Sequence, residues 1–138
     1  MATIMVQLRS IPDTEAAVGW SGGHPVVIDR PAGKAGGMGL GLNGGQMLAL
    51  AIGGCFCNDL RYVAHDMGIS LASIEVDVSL DLEGMPLIAT RAVMHVRATA
   101  AEEGTDVDAV IRRAQEISTV ANSLKRGFAV ETVAGKPA

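Results

Sequence analysis

The stretch Gln46-Met-Leu-Ala-Leu-Ala-Ile-Gly-Gly-Cys-Phe-Cys57 leads a run of small and aliphatic residues into the only two cysteines of the chain. It is shorter than the ~20 apolar residues that cross a bilayer, so it reads as the first half of a buried helix carrying a thiol. The helix is predicted from about Gln46 to Met67, with Asn43 placed as N-cap and Gly68 as C-terminal stop. Its first half is apolar on every side, and its second half puts Asn58, Asp59, Arg61, His65 and Asp66 at surface-compatible positions. Gly53-Gly54 in its middle costs up to ~2 kcal/mol relative to two alanines, so another element must approach the backbone there. A chain of 138 residues has little else with which to cover an all-apolar segment, and a second copy is expected to complete the burial.

Downstream, Ile74, Val76, Val78, Leu80 and Leu82 alternate with Ser73, Glu75, Asp77, Ser79 and Asp81, the period of a strand with one buried face. Glu83-Gly-Met-Pro turns it into a return strand, Leu87 to Ala98. That strand is expected to point Ile88, Thr90, Ala92, Met94 and Val96 inward and Arg91, His95 and Arg97 outward, opposite an acidic face. Thr105-Asp-Val-Asp resembles a capping box and opens a helix on which Val107, Val110, Ile111, Ala114, Ile117 and Ala121 recur at helical spacing. Asn122-Ser-Leu-Lys-Arg-Gly closes it, and Phe128-Ala-Val-Glu-Thr-Val reads as a last strand.

Upstream, Ile4, Val6 and Leu8 alternate in a first strand, and Ser10-Ile-Pro-Asp ends it. Val26-Val-Ile-Asp is a further strand with which Ala16-Ala-Val-Gly-Trp can pair through Ser21-Gly-Gly-His, giving an antiparallel meander. Between Pro31 and Gly45 lies a Gly-rich loop broken by Met38, Leu40 and Leu42, whose apolar side chains fit a loop lying on a hydrophobic surface or lining a pocket. The loop matches neither dinucleotide nor P-loop fingerprints. With no internal repeat or linker, residues 1–138 read as a single α+β domain, antiparallel sheets packed on a long central helix.

Composition narrows the function. The formal charge of −4 with scattered basic residues disfavours nucleic acid. The N-terminus reads as mature strand rather than a signal segment, so a cytoplasmic protein with reduced thiols and no membrane partner is expected. Cys-x-Cys with the widely spaced His24, His65 and His95 lacks a second ligand pair, so neither metal nor another cofactor is expected. A cysteine is inert unless nearby charge or a helix terminus stabilises its thiolate. Asp59, one turn beyond Cys55, opposes that, whereas Arg61, one turn beyond Cys57, favours it for its neighbour.

The loop from Gly36-Gly37 to Asn43, then Gln46, then Ala51-Ile-Gly-Gly-Cys55-Phe56, resembles the OsmC/Ohr superfamily, and the likeness extends to Val120-Ala-Asn122-Ser-Leu124. The resemblance implies an OsmC-like fold, an intertwined homodimer with interfacial active sites, and Cys55 as the thiol that attacks a hydroperoxide. Ser118 then stands where the family carries its second cysteine, and Gly45 where it carries a glutamate. The family's N-terminal arginine has no counterpart in register, Arg9 and Arg30 being displaced.

The expected activity is therefore thiol-dependent reduction of a small apolar organic hydroperoxide by Cys55 in a degenerate site, recycled by an external thiol. Met38, Leu40, Leu42, Met47, Phe56 and Ser118 are the expected pocket lining. Cys57 is a possible second thiol, but residues two apart on a helix point about 200° from each other, so it reads first as a small buried hydrophobe. The rival readings are an OsmC-fold protein that binds a small ligand without turnover, and a partner-binding protein using the Gly-rich loop and methionines as its contact surface.

Overall fold

Asn43 and Gln46 start the long helix by capping each other. Asn43 Oδ1 accepts from the Gln46 amide and Gln46 Oε1 accepts from the Asn43 amide, both at 2.9 Å, a reciprocal capping box. The structure, a computed structural model, describes residues 1–135, and this helix, α1, runs Gly44–Asp66. It stops as anticipated: Gly68 takes a positive φ of 68°, its amide bonds to the His65 carbonyl and that of Ile69 to the Ala64 carbonyl. Those two bonds define a Schellman motif, which only glycine enters without strain.

Strands β1 (Gln7–Ser10), β2 (Ala17–Ser21) and β3 (His24–Ile28) precede the helix. Strands β4 (Leu71–Glu83) and β5 (Ile88–Ala100) follow it, then helices α2 (Val107–Ile117) and α3 (Thr119–Arg126). The α+β class holds, with one three-stranded sheet in the order β1-β2-β3 and one two-stranded hairpin. The chain divides into two compact units, Met1–Leu50 with Leu82–Thr90, and Ala51–Asp81 with the chain from Arg91 onward.

In the first unit the meander forms as the alternation predicted, Val18 opposite Val27 and Ser21 opposite His24. Its first strand is shorter than expected: it begins at Gln7, and Ile4, Met5, Val6 and Leu8 are exposed because no element of the unit covers them. The Gly-rich loop returns to bridge Leu42 to Ile28. Gly41 passes so near the Val27 carbonyl that a Cβ there would overlap it.

The second unit holds a buried cluster of Phe56, Leu60, Val63 and Ala64 from α1 with Leu71, Val110 and Ala114, against which Ile74, Val76, Met94, Val96 and Ile111 pack. Each such large side chain contributes roughly 1.5–3 kcal/mol on full burial. By length and composition α1 would suffice to cross a membrane, but this face of it is a core face. The close approach expected at Gly53-Gly54 belongs to Gly53 alone. A Cβ on Gly53 would lie 2.8 Å from Val78 Cγ2, whereas one on Gly54 would meet nothing within 4 Å.

Several expectations are corrected. Asp59, read as a surface residue of the helix, is buried at 6% exposure, on the same side as Leu60 and Val63. On β5 the inward set begins at Met94; Ile88, Thr90 and Ala92 are exposed, since the buried cluster reaches only the base of the hairpin. The N-cap of α2 is Asp106, not Thr105, its Oδ1 accepting from the Ala109 amide at 3.1 Å. The single helix expected after it is two, because Ser118 is extended (φ −60°, ψ 113°) and breaks it. The strand expected from Phe128 is absent; that segment has no ladder partner among the described residues, and Phe128, Val130 and Val133 are exposed.

Candidate functional site

Cys55 sits one residue before Phe56, which at 1% exposure fixes the rotation of α1 against the core. This leaves Cys55 half-buried at the border of the apolar stripe. Residues four apart on a helix are neighbours, and Cys55 Sγ donates to Asp59 Oδ2 at 3.6 Å. No other hydrogen bond or ion pair reaches the Asp59 carboxylate among the described residues. A buried carboxylate with no cation and one soft partner is uncommon, because burying an unpaired charge is costly.

Ser118 meets the same sulfur from the other side, its Oγ donating to Cys55 Sγ at 4.0 Å. It is fully buried. The break between α2 and α3 delivers it there: the Ser118 carbonyl accepts the first α3 bond, from the Asn122 amide, and Asn122 Nδ2 caps the Glu116 carbonyl at the end of α2. The residue expected at the position of a second cysteine is thus at the thiol, as a hydroxyl.

The other expected residues are distributed as follows. Cys57 is half-buried and a free thiol. Arg61, expected to favour a thiolate nearby, instead donates Nη1 to the Leu71 carbonyl at 2.9 Å, tying the end of α1 to the start of β4. Leu42 and Met47 are half-buried and Met38 and Leu40 exposed, all four within the first unit. His24, His65 and His95 are exposed, and among the described residues no three His, Cys, Asp or Glu side chains converge as a metal site. A cleft of about 550 Å³ lies at the C-terminal end of α1, lined by Arg61, Tyr62, His65, Asp66 and Ile69, and does not include Cys55.

The sequence places Asp59 one turn from Cys55 but does not show its burial, and it does not single out Asp29. Asp29, just past β3, organises the Gly-rich loop: its carboxylate accepts from the amides of Leu40 (3.0 Å), Met38 (3.1 Å) and Arg30 (2.8 Å). These bonds, Leu40's foremost, hold its carboxyl below the usual carboxylate range against the opposing effect of burial. An aspartate between a strand and a glycine-rich loop was the available signal. Arg30 beside it donates Nη2 to the Glu15 carbonyl and pairs with Asp29, while its Nε is buried without a partner.

Comparison with known proteins agrees with this architecture. A family model described as OsmC-like protein matches residues 36–133. The structure is similar to an OsmC-like protein of unknown function from Vibrio cholerae, at TM-score 0.76 and 13% identity over 89% of this chain and 94% of that one. It is also similar to an OsmC-like protein from Mycoplasma pneumoniae (TM-score 0.74, 14% identity, 90% and 88% covered). An organic hydroperoxide resistance protein OsmC from Legionella pneumophila aligns at TM-score 0.63 and 19% identity over 91% of this chain and 90% of that one. No curated relative matches the sequence.

Proposed function

The chain belongs to the OsmC-like protein family, and from that premise we propose that it reduces small apolar organic hydroperoxides through Cys55, with an external thiol closing the cycle. The observation that carries the reading is a half-exposed thiol held between two buried oxygen atoms, of Asp59 and Ser118. In the reaction the sulfur bonds to one peroxide oxygen as the O–O bond breaks. The thiol proton ends on the departing alkoxide, giving an alcohol, and Cys55 is left as sulfenic acid.

Ser118 has no thiol to condense with that sulfenic acid. A small external thiol does so instead, releasing water and forming a mixed disulfide that a second thiol reduces. A cytoplasmic setting, where such thiols abound, suits the cycle. The hydroperoxide resistance named for the Legionella neighbour supports the substrate class.

The second reading, ligand binding without turnover, is favoured by one observation: the acceptor of the thiol's hydrogen bond is the carboxyl of Asp59, where thiolate activation ordinarily uses a cation. Single-turnover exposure of the reduced protein to cumene hydroperoxide, followed by mass spectrometry, separates the two. The peroxidase reading expects one oxygen added at Cys55 and one equivalent of cumyl alcohol. An unchanged thiol, together with saturable binding of cumyl alcohol, refutes it in favour of the second.

Assembly is part of the same proposal. Ile4, Met5, Val6 and Leu8 at one end of the chain and Phe128, Val130 and Val133 at the other are exposed in the single chain, and a second copy is the occupant proposed for them. Sedimentation velocity at micromolar concentration is expected to give a dimer; a stable monomer overturns this.

A further inference from the structure

We propose that Asp59 is the proton acceptor for Cys55, so that the thiol gains nucleophilic character from a buried carboxylate rather than from a cation. This deepens the reading of Cys55 as a nucleophile and rests on it.

The geometry has three parts. Cys55 Sγ donates to Asp59 Oδ2 at 3.6 Å, a direct path for the proton from sulfur to carboxylate. Asp59 is 6% exposed, and among the described residues no cation pairs with it. Ser118 Oγ, fully buried, points its own donor at the same sulfur at 4.0 Å. The neighbouring arginine, Arg61, is engaged elsewhere, on the Leu71 carbonyl.

Charge decides what such a pair can do. Loss of the thiol proton to solvent would place two anions side by side in a site partly shut off from water, which electrostatics opposes. Transfer to Asp59 adds no charge. One proton and one negative charge remain on the pair, and only their locations change. The transfer neutralises a carboxylate that is buried without a cation and moves the charge to a larger, softer sulfur, on which the Ser118 hydroxyl can donate.

The steps balance. As sulfur bonds to the peroxide oxygen and the O–O bond breaks, the thiol proton passes to Asp59 and from Asp59 to the departing alkoxide, yielding sulfenic acid and alcohol. With iodoacetamide, sulfur bonds to the methylene carbon, iodide leaves, and the proton passes through Asp59 to water. The second reaction involves no peroxide, so it tests the proton acceptor independently of the substrate.

The test uses the full-length reduced protein carrying Cys57→Ala, so that Cys55 is the sole thiol. Iodoacetamide alkylation at pH 7 is compared with and without Asp59→Asn, which keeps the shape of the side chain and removes its capacity to take a proton. The expected result is a loss of at least about tenfold in rate, in line with general-base contributions of 10²–10⁴. An equal or faster rate in Asp59→Asn overturns the proposal, because it means that the carboxylate only opposes the thiolate.

Infrared spectroscopy of the Cys57→Ala protein supplies a readout that leaves Asp59 in place and does not depend on whether Asp59→Asn folds. An S–H stretch displaced to low wavenumber, or its replacement by a protonated-carboxyl C=O band, supports the shared proton. An S–H band at the position of an unbonded thiol overturns it, whatever the rates. Alkylation that depends on Asp59 alongside no reaction with cumene hydroperoxide sustains the proton acceptor and refutes the peroxidase reading.

Discussion

Gly53 and Gly54 are adjacent on α1, yet alanine is expected to act in opposite directions at the two. Alanine gains about 1 kcal/mol over glycine in a helix interior. At Gly54 nothing opposes that gain, since a Cβ there meets no atom within 4 Å, so Gly54→Ala should stabilise by about 1 kcal/mol. At Gly53 the Cβ would lie 2.8 Å from Val78 Cγ2, with Val76 Cγ1 at an ordinary 3.5 Å. Val78 is β-branched and stiff at χ1, so either it leaves its rotamer or α1 lifts from β4, an overpacking cost of about 1–3 kcal/mol. Gly53→Ala should therefore come out neutral to about 2 kcal/mol destabilising. In a Val78→Ala background the clash is gone, and Gly53→Ala should recover a stabilisation of up to about 1 kcal/mol. Urea unfolding at one fixed protein concentration, which keeps the mass-action conditions of assembly the same, reads all four variants. Equal stabilisation by Gly53→Ala and Gly54→Ala, or no rescue by Val78→Ala, would refute the close approach of helix to strand.

Three further outcomes are expected. Cys57→Ala should leave iodoacetamide alkylation of Cys55 within about twofold and cost roughly 0.5–1 kcal/mol; a Cys55–Cys57 disulfide found by peptide mapping after mild peroxide would show that Cys57 takes part. Ser118→Cys places a thiol where the hydroxyl now lies 4.0 Å from Cys55 Sγ, so oxidised Cys55 should close a disulfide with it, while stopped-flow thiol loss before closure is no faster than in wild type, because the new thiol acts after O–O cleavage. Asp29 is depressed in the folded state, so its contribution is present above its unfolded value near ~3.9 and is lost as pH falls through the lower folded value. Asp29→Asn should thus lower the urea midpoint at pH 7, and the gap from wild type should shrink below about pH 4; a gap independent of pH would mean that the loss does not come from the carboxylate's charge, and no gap at all that the amide serves the loop equally well.

The long helix was legible as an apolar run between a cap and a glycine stop, and the hairpin and meander by their alternation. The cap residue Asn43 and the stop at Gly68 were legible too, since their chemistry is local. The break at Ser118 was not: apolar residues keep helical spacing through Ile117 and Ala121, and the contact that distinguishes Ser118, with Cys55 Sγ on α1, is tertiary. The segment from Phe128 alternates like a strand but has no ladder partner among the described residues, a fact that lies outside any local pattern. At the site, Cys55 and Ser118 were named in advance and the structure brings them together. Asp59 was misread because charged residues are rarely buried unpaired, so the usual rule pointed to solvent.

The hairpin also bears on how copies of the chain meet in a crowded solution. Each of β4 and β5 is 13 residues long, about 43 Å, and each has only the other as a described partner, so two long sides stay open to recruitment. The solvent row of β4 is acidic at Glu75, Asp77 and Asp81, and that of β5 basic at Arg91, His95 and Arg97. Acid meeting acid discourages β4 from adding to another β4, but β4 of one copy on β5 of the next is attractive and repeats without end, the arithmetic of a fibre. Arg97 holds Glu75 and Asp77 within its own hairpin, at 2.8 Å each. Exposed ion pairs of this kind add little to unfolding free energy; this one withholds the charges that edge-to-edge growth would draw on. Arg97→Ala should therefore leave the urea midpoint nearly unmoved and raise light scattering on storage, and clear solutions of that variant would dismiss the idea.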